Sequence, residues 1–202
     1  LILEGELVEQ VSKAIDGGAA IIQYRDKSSG RARRLEQATV LASLCRARNV
    51  PLIINDDIEL ARAINADGVH LGIDDDSVRA ARAQLGEDAI IGVSCYNQLA
   101  RAKDAVAAGA DYVAFGRFFA SKTKPNAATA DINLLVEARQ QLRVPIVAIG
   151  GITPDNGAAL IAAGADCLAA IDGVFGQTDV YAAAQRYAAL FTAGSSSFDR
   201  RS

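Results

Sequence analysis

Seven short apolar runs recur along the chain, and their spacing limits the fold more than any other feature. They are "AAIIQYR" (19–25), "PLIIND" (51–56), "GVHLG" (68–72), "IIGVSC" (90–95), "YVAFG" (112–116), "PIVAIGG" (145–151) and "CLAAIDG" (167–173). Each is long enough for a strand and too short for an ordinary helix. They are too uniformly apolar for one-sided sheets, so they read as parallel strands covered on both faces. Segments rich in Ala, Leu, Arg and Gln separate them, such as 30–49, 97–108 and 131–142, and these residue types favour helix. Strand–helix alternation of this kind makes an α/β fold.

A weak internal repeat supports a regular architecture. "NADGVHLG", "AGADYVAFG" and "AGADCLAAIDG" share a turn, an Asp and a strand. Gly109 and Gly164 stand where a left-handed helix C-cap belongs. Seven strands are clear; an eighth before Leu7 would close a (βα)8 TIM barrel, and only "LIL" at the start hints at it. The first strand is therefore expected to be missing or truncated at the N-terminus. A doubly wound open sheet is the competing topology. The barrel is favoured because polar residues cluster at the C-terminal end of nearly every strand rather than at one switch point.

Length and charge narrow the function classes. The chain has 202 residues, read as one barrel domain over 1–192 and a flexible tail, "AGSSSFDRRS", over 193–202. A net charge of −3 gives no basic field to recruit nucleic acid. No apolar run approaches the roughly 18 residues of a membrane span. No signal peptide is visible, although the chain opens on Leu1, so a short N-terminal piece is open to being absent. Cys45, Cys95 and Cys167 are scattered and odd in number, which indicates neither a zinc site nor a disulfide framework. A reducing cytoplasm is the simplest setting. The sequence leaves a homo-oligomer open.

The chemistry sits after the strands. The first run ends in Gln23, Arg25 and Lys27, which share one face because side chains two apart on a strand do. The next gives Asn55, Asp56 and Asp57; the third gives His70, then Asp74, Asp75 and Asp76. Ser94 and Asn97 follow the fourth, and Ser121, Lys122, Thr123 and Lys124 the fifth. Gly150, Gly151 and Thr153 follow the sixth, and Asp172 and Gly173 the seventh. Each has a bland reading. "QYRDK" alone is an ordinary solvated loop. "NDD" alone is equally a helix N-cap, and "DDD" could begin the helix at Ser77. His70 alone is a packed strand histidine before it is a catalyst. "GGITPDN" is stronger, because Thr153 can N-cap, Pro154 suits the first helical position, and paired glycines let backbone N–H groups approach an anion. In a barrel all of these points ring one mouth, and coincidence would have to recur at six strand ends.

Sorted by charge, the ring describes phosphate chemistry. Arg25, Lys27 and Lys124 are cations suited to phosphate oxygens. Asp56 and Asp75 are oxygen ligands on neighbouring strand ends, the sparse carboxylate arrangement that holds magnesium together with substrate phosphates. Together they describe a diphosphate site. The glycine-rich turns after the last two strands describe a second, monophosphate site.

"QYRDK", "INDD", "ADGVHLGIDD", "IGVSCYN", "ADYVAFGRFFASKTKP" and "VAIGGIT" together resemble the thiamine-phosphate synthase family, in order, from about residue 19 to 173. The family is a (βα)8 barrel that joins a hydroxymethylpyrimidine diphosphate to a thiazole phosphate and releases diphosphate. The resemblance implies that Gln23, Arg25, Lys27, Asn55 and Lys124 line the pyrimidine diphosphate site, with Arg25, Lys27 and Lys124 as the catalytic cations. It implies Asp56 and Asp75 as magnesium ligands and puts Ser94 with the pyrimidine. Ser121, Lys122 and Thr123 match the segment that meets the thiazole phosphate, and Gly151, Ile171 and Asp172 the backbone positions that hold its phosphate. No chemical step falls to His70. Two departures stand out: the position of Asp172 usually carries Ser in the family, and its members begin with a strand resembling "YLIT" that is not found here. The implied partners are small-molecule substrates. A thiazole tautomerase-like isomerase on the same barrel, or a non-catalytic thiamine-phosphate binding module, would need no complete leaving-group site.

Overall fold

The computed structural model describes residues 4–72, 77–119 and 130–193. Among them the elements alternate as expected: α1 Glu4–Asp16, β1 Ile22–Tyr24, α2 Arg31–Ala47, β2 Leu52–Asn55, α3 Ile58–Ile64, β3 Gly68–Leu71, α4 Val78–Leu85, β4 Ile90–Tyr96, α5 Leu99–Ala107, β5 Tyr112–Gly116, α6 Asn133–Gln141, β6 Ile146–Ile149, α7 Pro154–Ala162, β7 Cys167–Ala169 and α8 Val180–Ala193. The strands are shorter than the apolar runs that announce them, because the last residues of each run already belong to the loops. α8 reaches Ala193, one residue beyond the expected domain end.

Neighbouring strands pair in sequential order from β1 to β7, and every pair is parallel. A doubly wound sheet reverses its order at a switch point; this one does not. Right-handed crossovers in sequential order put every helix on the same side. The other face is then covered only if the sheet curls onto itself, which is the barrel solution. On the helix side the first and last helices meet, with α1 packed between α8 and α2. The strands leave a seam: among the described residues β1 and β7 do not pair with each other. That seam is the place of the eighth strand. This agrees with the expectation of a first strand missing or truncated at the N-terminus: the described residues begin with α1 at Glu4, and "LIL" at 1–3 lies outside them.

Parity along each strand divides two environments. Ile22, Tyr24, Leu52, Ile54, Val69, Leu71, Ile91, Val93, Val113, Phe115 and Ile146 point outward into one buried cluster with helix residues such as Leu41, Cys45, Ile58, Leu135 and Leu160. The inward set is different in kind: Gln23, Ile53, His70, Ser94, Tyr112 and Ala114, with Gly68, Gly92 and Gly116. Gly92 is required by space, since a Cβ there would lie 1.9 Å from Tyr112 Cζ. The uniformly apolar runs thus conceal a polar inner face.

The repeat has a structural meaning at the N-terminal rim. Asp67 accepts from the Leu52 N–H at 2.8 Å, Asp111 from Ile91 at 2.7 Å and Asp166 from Ile146 at 2.8 Å. Each Asp therefore stitches its own strand to the start of the preceding one. The helices before them end in left-handed residues, Asn65 (φ 52°), Gly109 (φ 101°) and Gly164 (φ 117°). The next N–H in each case returns five residues, from Ala66 to Ala61, Ala110 to Ala105 and Ala165 to Leu160, as a Schellman turn does.

Candidate active site

The C-terminal rim begins with the loop after β1. The Asp26 carboxylate accepts from Ser28 N at 2.7 Å, Ser28 Oγ at 2.8 Å and Ser29 N at 3.1 Å. The two serines hold this carboxyl well below its ordinary range. Winding the loop around Asp26 leaves the flanking Arg25 and Lys27 exposed at the mouth.

After β2 the consecutive acids take separate tasks. Asp57 caps α3, accepting from Leu60 N at 2.9 Å, and pairs with Arg34 at 3.2 Å. Asp56 is left-handed (φ 65°), with its N–H bonded to the His70 carbonyl at 2.9 Å. Its carboxylate pairs with Lys27 Nζ at 2.9 Å. The N-cap reading of "NDD" thus falls to Asp57, and Asp56 is left at the mouth beside Lys27. Arg25, Lys27, Arg34, Asn55 and Asp56 share the walls of one cleft of about 430 Å³.

A second group forms at β6 and β7. Gly150 (φ 102°) and Gly151 (φ 64°) take conformations that favour glycine, and a Cβ on Gly150 would sit 2.2 Å from Arg117 Cβ. Thr153 is the N-cap of α7 and Pro154 its first residue. Asn156 fastens the turn, accepting from Thr153 N at 2.8 Å and donating to the Gly151 carbonyl at 3.2 Å. Tyr187 of α8 donates to the Ile152 carbonyl at 2.7 Å. Among the described residues no group accepts from the N–H of Gly151, Asp172 or Gly173. Ile171 is 61% exposed, and the exposed Asp172 carboxylate has no partner among the described residues.

Between the two groups lies a buried polar network. His70 Nδ1 is 2.9 Å from Tyr112 Oη, and Nε2 is 2.8 Å from Ser94 Oγ. The two rings stack at 5.6 Å between centroids. Burial pushes His70 down to about 4, partly opposed by the Asp56 charge, and pushes the Tyr112 phenol up. His70 is thus the packed strand histidine of its bland reading, with both ring nitrogens engaged.

Of the expected site residues, Gln23, Arg25, Lys27, Asn55, Asp56, Ser94, Gly151, Ile171 and Asp172 are described, all on the inner face or the C-terminal rim. Asp75, Ser121, Lys122, Thr123 and Lys124 lie outside the described residues. Among the described residues no three His, Cys, Asp or Glu side chains are grouped to hold a metal by themselves.

The model of the family described as thiamine monophosphate synthase matches residues 2–174. This chain belongs to that family. It is 55% identical over 185 residues to a thiamine-phosphate synthase of Azoarcus sp. (strain BH72), covering 92% of this chain and 90% of the relative. It is 54% identical over 187 residues to a thiamine-phosphate synthase of Nitrosococcus oceani, covering 93% and 86%. The thiamine phosphate pyrophosphorylase from Pyrococcus furiosus superposes with a TM-score of 0.85 at 32% identity, over 92% of this chain and 89% of that one.

Within this thiamine monophosphate synthase fold, sequence reasoning passed over two residues. Tyr112 had a usable signal, because it shares the inward parity of Ala114 and Gly116. Arg101 had none: it sits on α5, yet donates to the Ser94 carbonyl at 2.8 Å and the Gly72 carbonyl at 3.0 Å, bracing the ends of β4 and β3.

Proposed function

We propose that this chain is a transferase that condenses 4-amino-2-methyl-5-hydroxymethylpyrimidine diphosphate with 4-methyl-5-(2-hydroxyethyl)thiazole phosphate, giving thiamine phosphate and diphosphate. The observation that carries the reading is the cleft where Arg25, Lys27 and Asp56 meet at adjoining strand ends in a member of this family. An amino-substituted pyrimidine can stabilise positive charge on its methylene carbon as diphosphate leaves, so the substitution is dissociative. The residues then have two tasks. Arg25 and Lys27 stabilise negative charge developing on the leaving oxygens. The second group, whose N–H groups at Gly151, Asp172 and Gly173 have no acceptor among the described residues, holds the thiazole phosphate so that the ring nitrogen faces the reacting carbon. This division needs no nucleophilic side chain and fits a chain with a single histidine.

Magnesium fits the donors. Asp56 supplies a hard oxygen ligand, and Lys27, the ammonium paired with it, is itself 63% exposed. Asp56, with Asp75, would hold the ion beside the diphosphate, where its charge would stabilise the leaving oxygens. The substrates are small molecules and no helix among the described residues is long and apolar enough to cross a membrane. The free thiols of Cys45, Cys95 and Cys167 suit a reducing cytoplasm. The test is thiamine phosphate formation by the purified chain from the two substrates. Absence of product with magnesium present would sink the reading.

A further inference from the structure

His70 and Tyr112 have no chemical step in the substitution, yet they occupy the middle of the barrel. Three adjacent strands put them there. His70 pairs in register with Gly92, and Gly92 with Tyr112. Because Gly92 has no side chain, the Tyr112 ring lies over it and reaches the imidazole two strands away. Ser94, two residues further along β4, meets the other side of that imidazole. The result is a chain of contacts from Tyr112 through His70 to Ser94.

We propose that Tyr112 and His70 are positioning residues that fix the Ser94 hydroxyl as a hydrogen-bond donor toward the bound pyrimidine. The inference rests on the function proposed above. The polarity follows from counting protons. A buried neutral imidazole carries one N–H and one lone pair. Among the described residues the one side-chain acceptor within hydrogen-bond distance of the Tyr112 hydroxyl is His70 Nδ1, and a half-buried phenol needs an acceptor for its proton. The phenol proton is then directed at His70 Nδ1, 2.9 Å away. Nε2 must carry the ring proton and donate to Ser94 Oγ at 2.8 Å. With one lone pair of Oγ occupied in this way, the serine proton is left to turn toward the mouth. The reverse polarity would consume that proton on Nε2 and present Ser94 as an acceptor, selecting for a different edge of the ligand.

The chain holds a single histidine, so selective ¹⁵N labelling of histidine gives one pair of ring signals. At neutral pH the ligand-free protein should show a protonated Nε2 and an unprotonated Nδ1. The opposite tautomer would overturn the proposal without any variant or turnover being needed. Kinetics give the second reading. Tyr112→Phe should raise KM for the pyrimidine diphosphate about tenfold, the loss expected for one hydrogen bond, with kcat little changed. In a Ser94→Ala background the same change should add less than about twofold, because the orientated group is already gone. Fully additive effects would show that Tyr112 acts on something other than Ser94. Wild-type protein without synthase turnover would remove the proposed function, and the tautomer would still decide the polarity of the relay.

Discussion

The two rims of the barrel use the same residue types to opposite ends. At the N-terminal rim every acid of the repeat is consumed by the fold. Asp111 holds a strand N–H and the Arg82 guanidinium, each at 2.7 Å, and Asp166 does the same with Ile146 N and Arg139. Arg82 also gathers the carbonyls of Gly86, Glu87, Ala89 and Gly109. At the C-terminal rim the accounts stay open. Arg25 has no partner among the described residues, Lys27 is 63% exposed, and the N–H groups of Gly151, Asp172 and Gly173 find no acceptor there. Charges that satisfy each other hold a fold together; charges and donors left facing one cleft are arranged for a ligand. The contrast predicts that changes at one rim move stability and changes at the other move turnover.

The largest effect should come from removing the ion. Chelation with EDTA should abolish product formation and added magnesium restore it, while the melting temperature in chelator stays that of the ligand-free protein. Full turnover in chelator would break the assignment of Asp56 as a ligand. Next is Arg25→Ala, which deletes a cation that the proposed function assigns to the leaving group and that has no partner among the described residues. A loss on the order of 10²-fold in kcat is expected, the scale for one preorganised electrostatic group. Its stability should hold within about 0.5 kcal/mol, as for other surface changes. A raised KM with kcat intact would show that Arg25 serves ground-state binding alone.

The opposite rim should answer in the opposite way. Asp111→Ala strips the acceptor from Ile91 N–H and the partner from Arg82. The pair is partly exposed, so most of the cost comes from the orphaned N–H, about 1–3 kcal/mol. For a domain of this size that is a fall in melting temperature of roughly 4–8 °C at the middle of the range. Steady-state kcat should be unchanged at a temperature where the variant is folded. A variant that melts normally but turns over slowly would erase the distinction between the rims.

How much of this was legible beforehand depended on locality. The strands, the barrel order and the strand-end ring could be read because each is written in a few neighbouring residues. "GGITPDN" even announced its cap and its first helical proline. The division of labour between Asp56 and Asp57 was not legible, since it turns on one residue taking φ 65°. Nor was the pairing of Lys27 with Asp56, which joins loops 29 positions apart in sequence. The inner polar face was masked because parity matters there and average hydrophobicity does not: "GVHLG", "IIGVSC" and "YVAFG" each contribute a single polar inward side chain to the network. Arg101 reaches its carbonyls from a helix, and no spacing rule could have found it.

Asp172 tests the comparison at its finest point, because it is an acid on the rim to which the proposed function assigns the anions. Its carboxylate is exposed and unpartnered among the described residues, beside backbone donors suited to a phosphate. The fold uses its carbonyl, which accepts from Gln177 Nε2 at 2.9 Å, so replacing the side chain leaves that contact in place. Two like unit charges about 4 Å apart repel by roughly 1 kcal/mol in water and about 4 at an effective dielectric near 20. Exposure puts Asp172 at the low end. Asp172→Ser should therefore lower KM for the thiazole phosphate by up to about tenfold. Because that phosphate is remote from the leaving diphosphate, kcat should move little. Raising the ionic strength should shrink the difference between the two proteins, since screening acts on the repulsion and not on the backbone donors. An unchanged or higher KM in the Ser variant would mean that the carboxylate turns away from the phosphate and that only the Asp172 N–H serves the site.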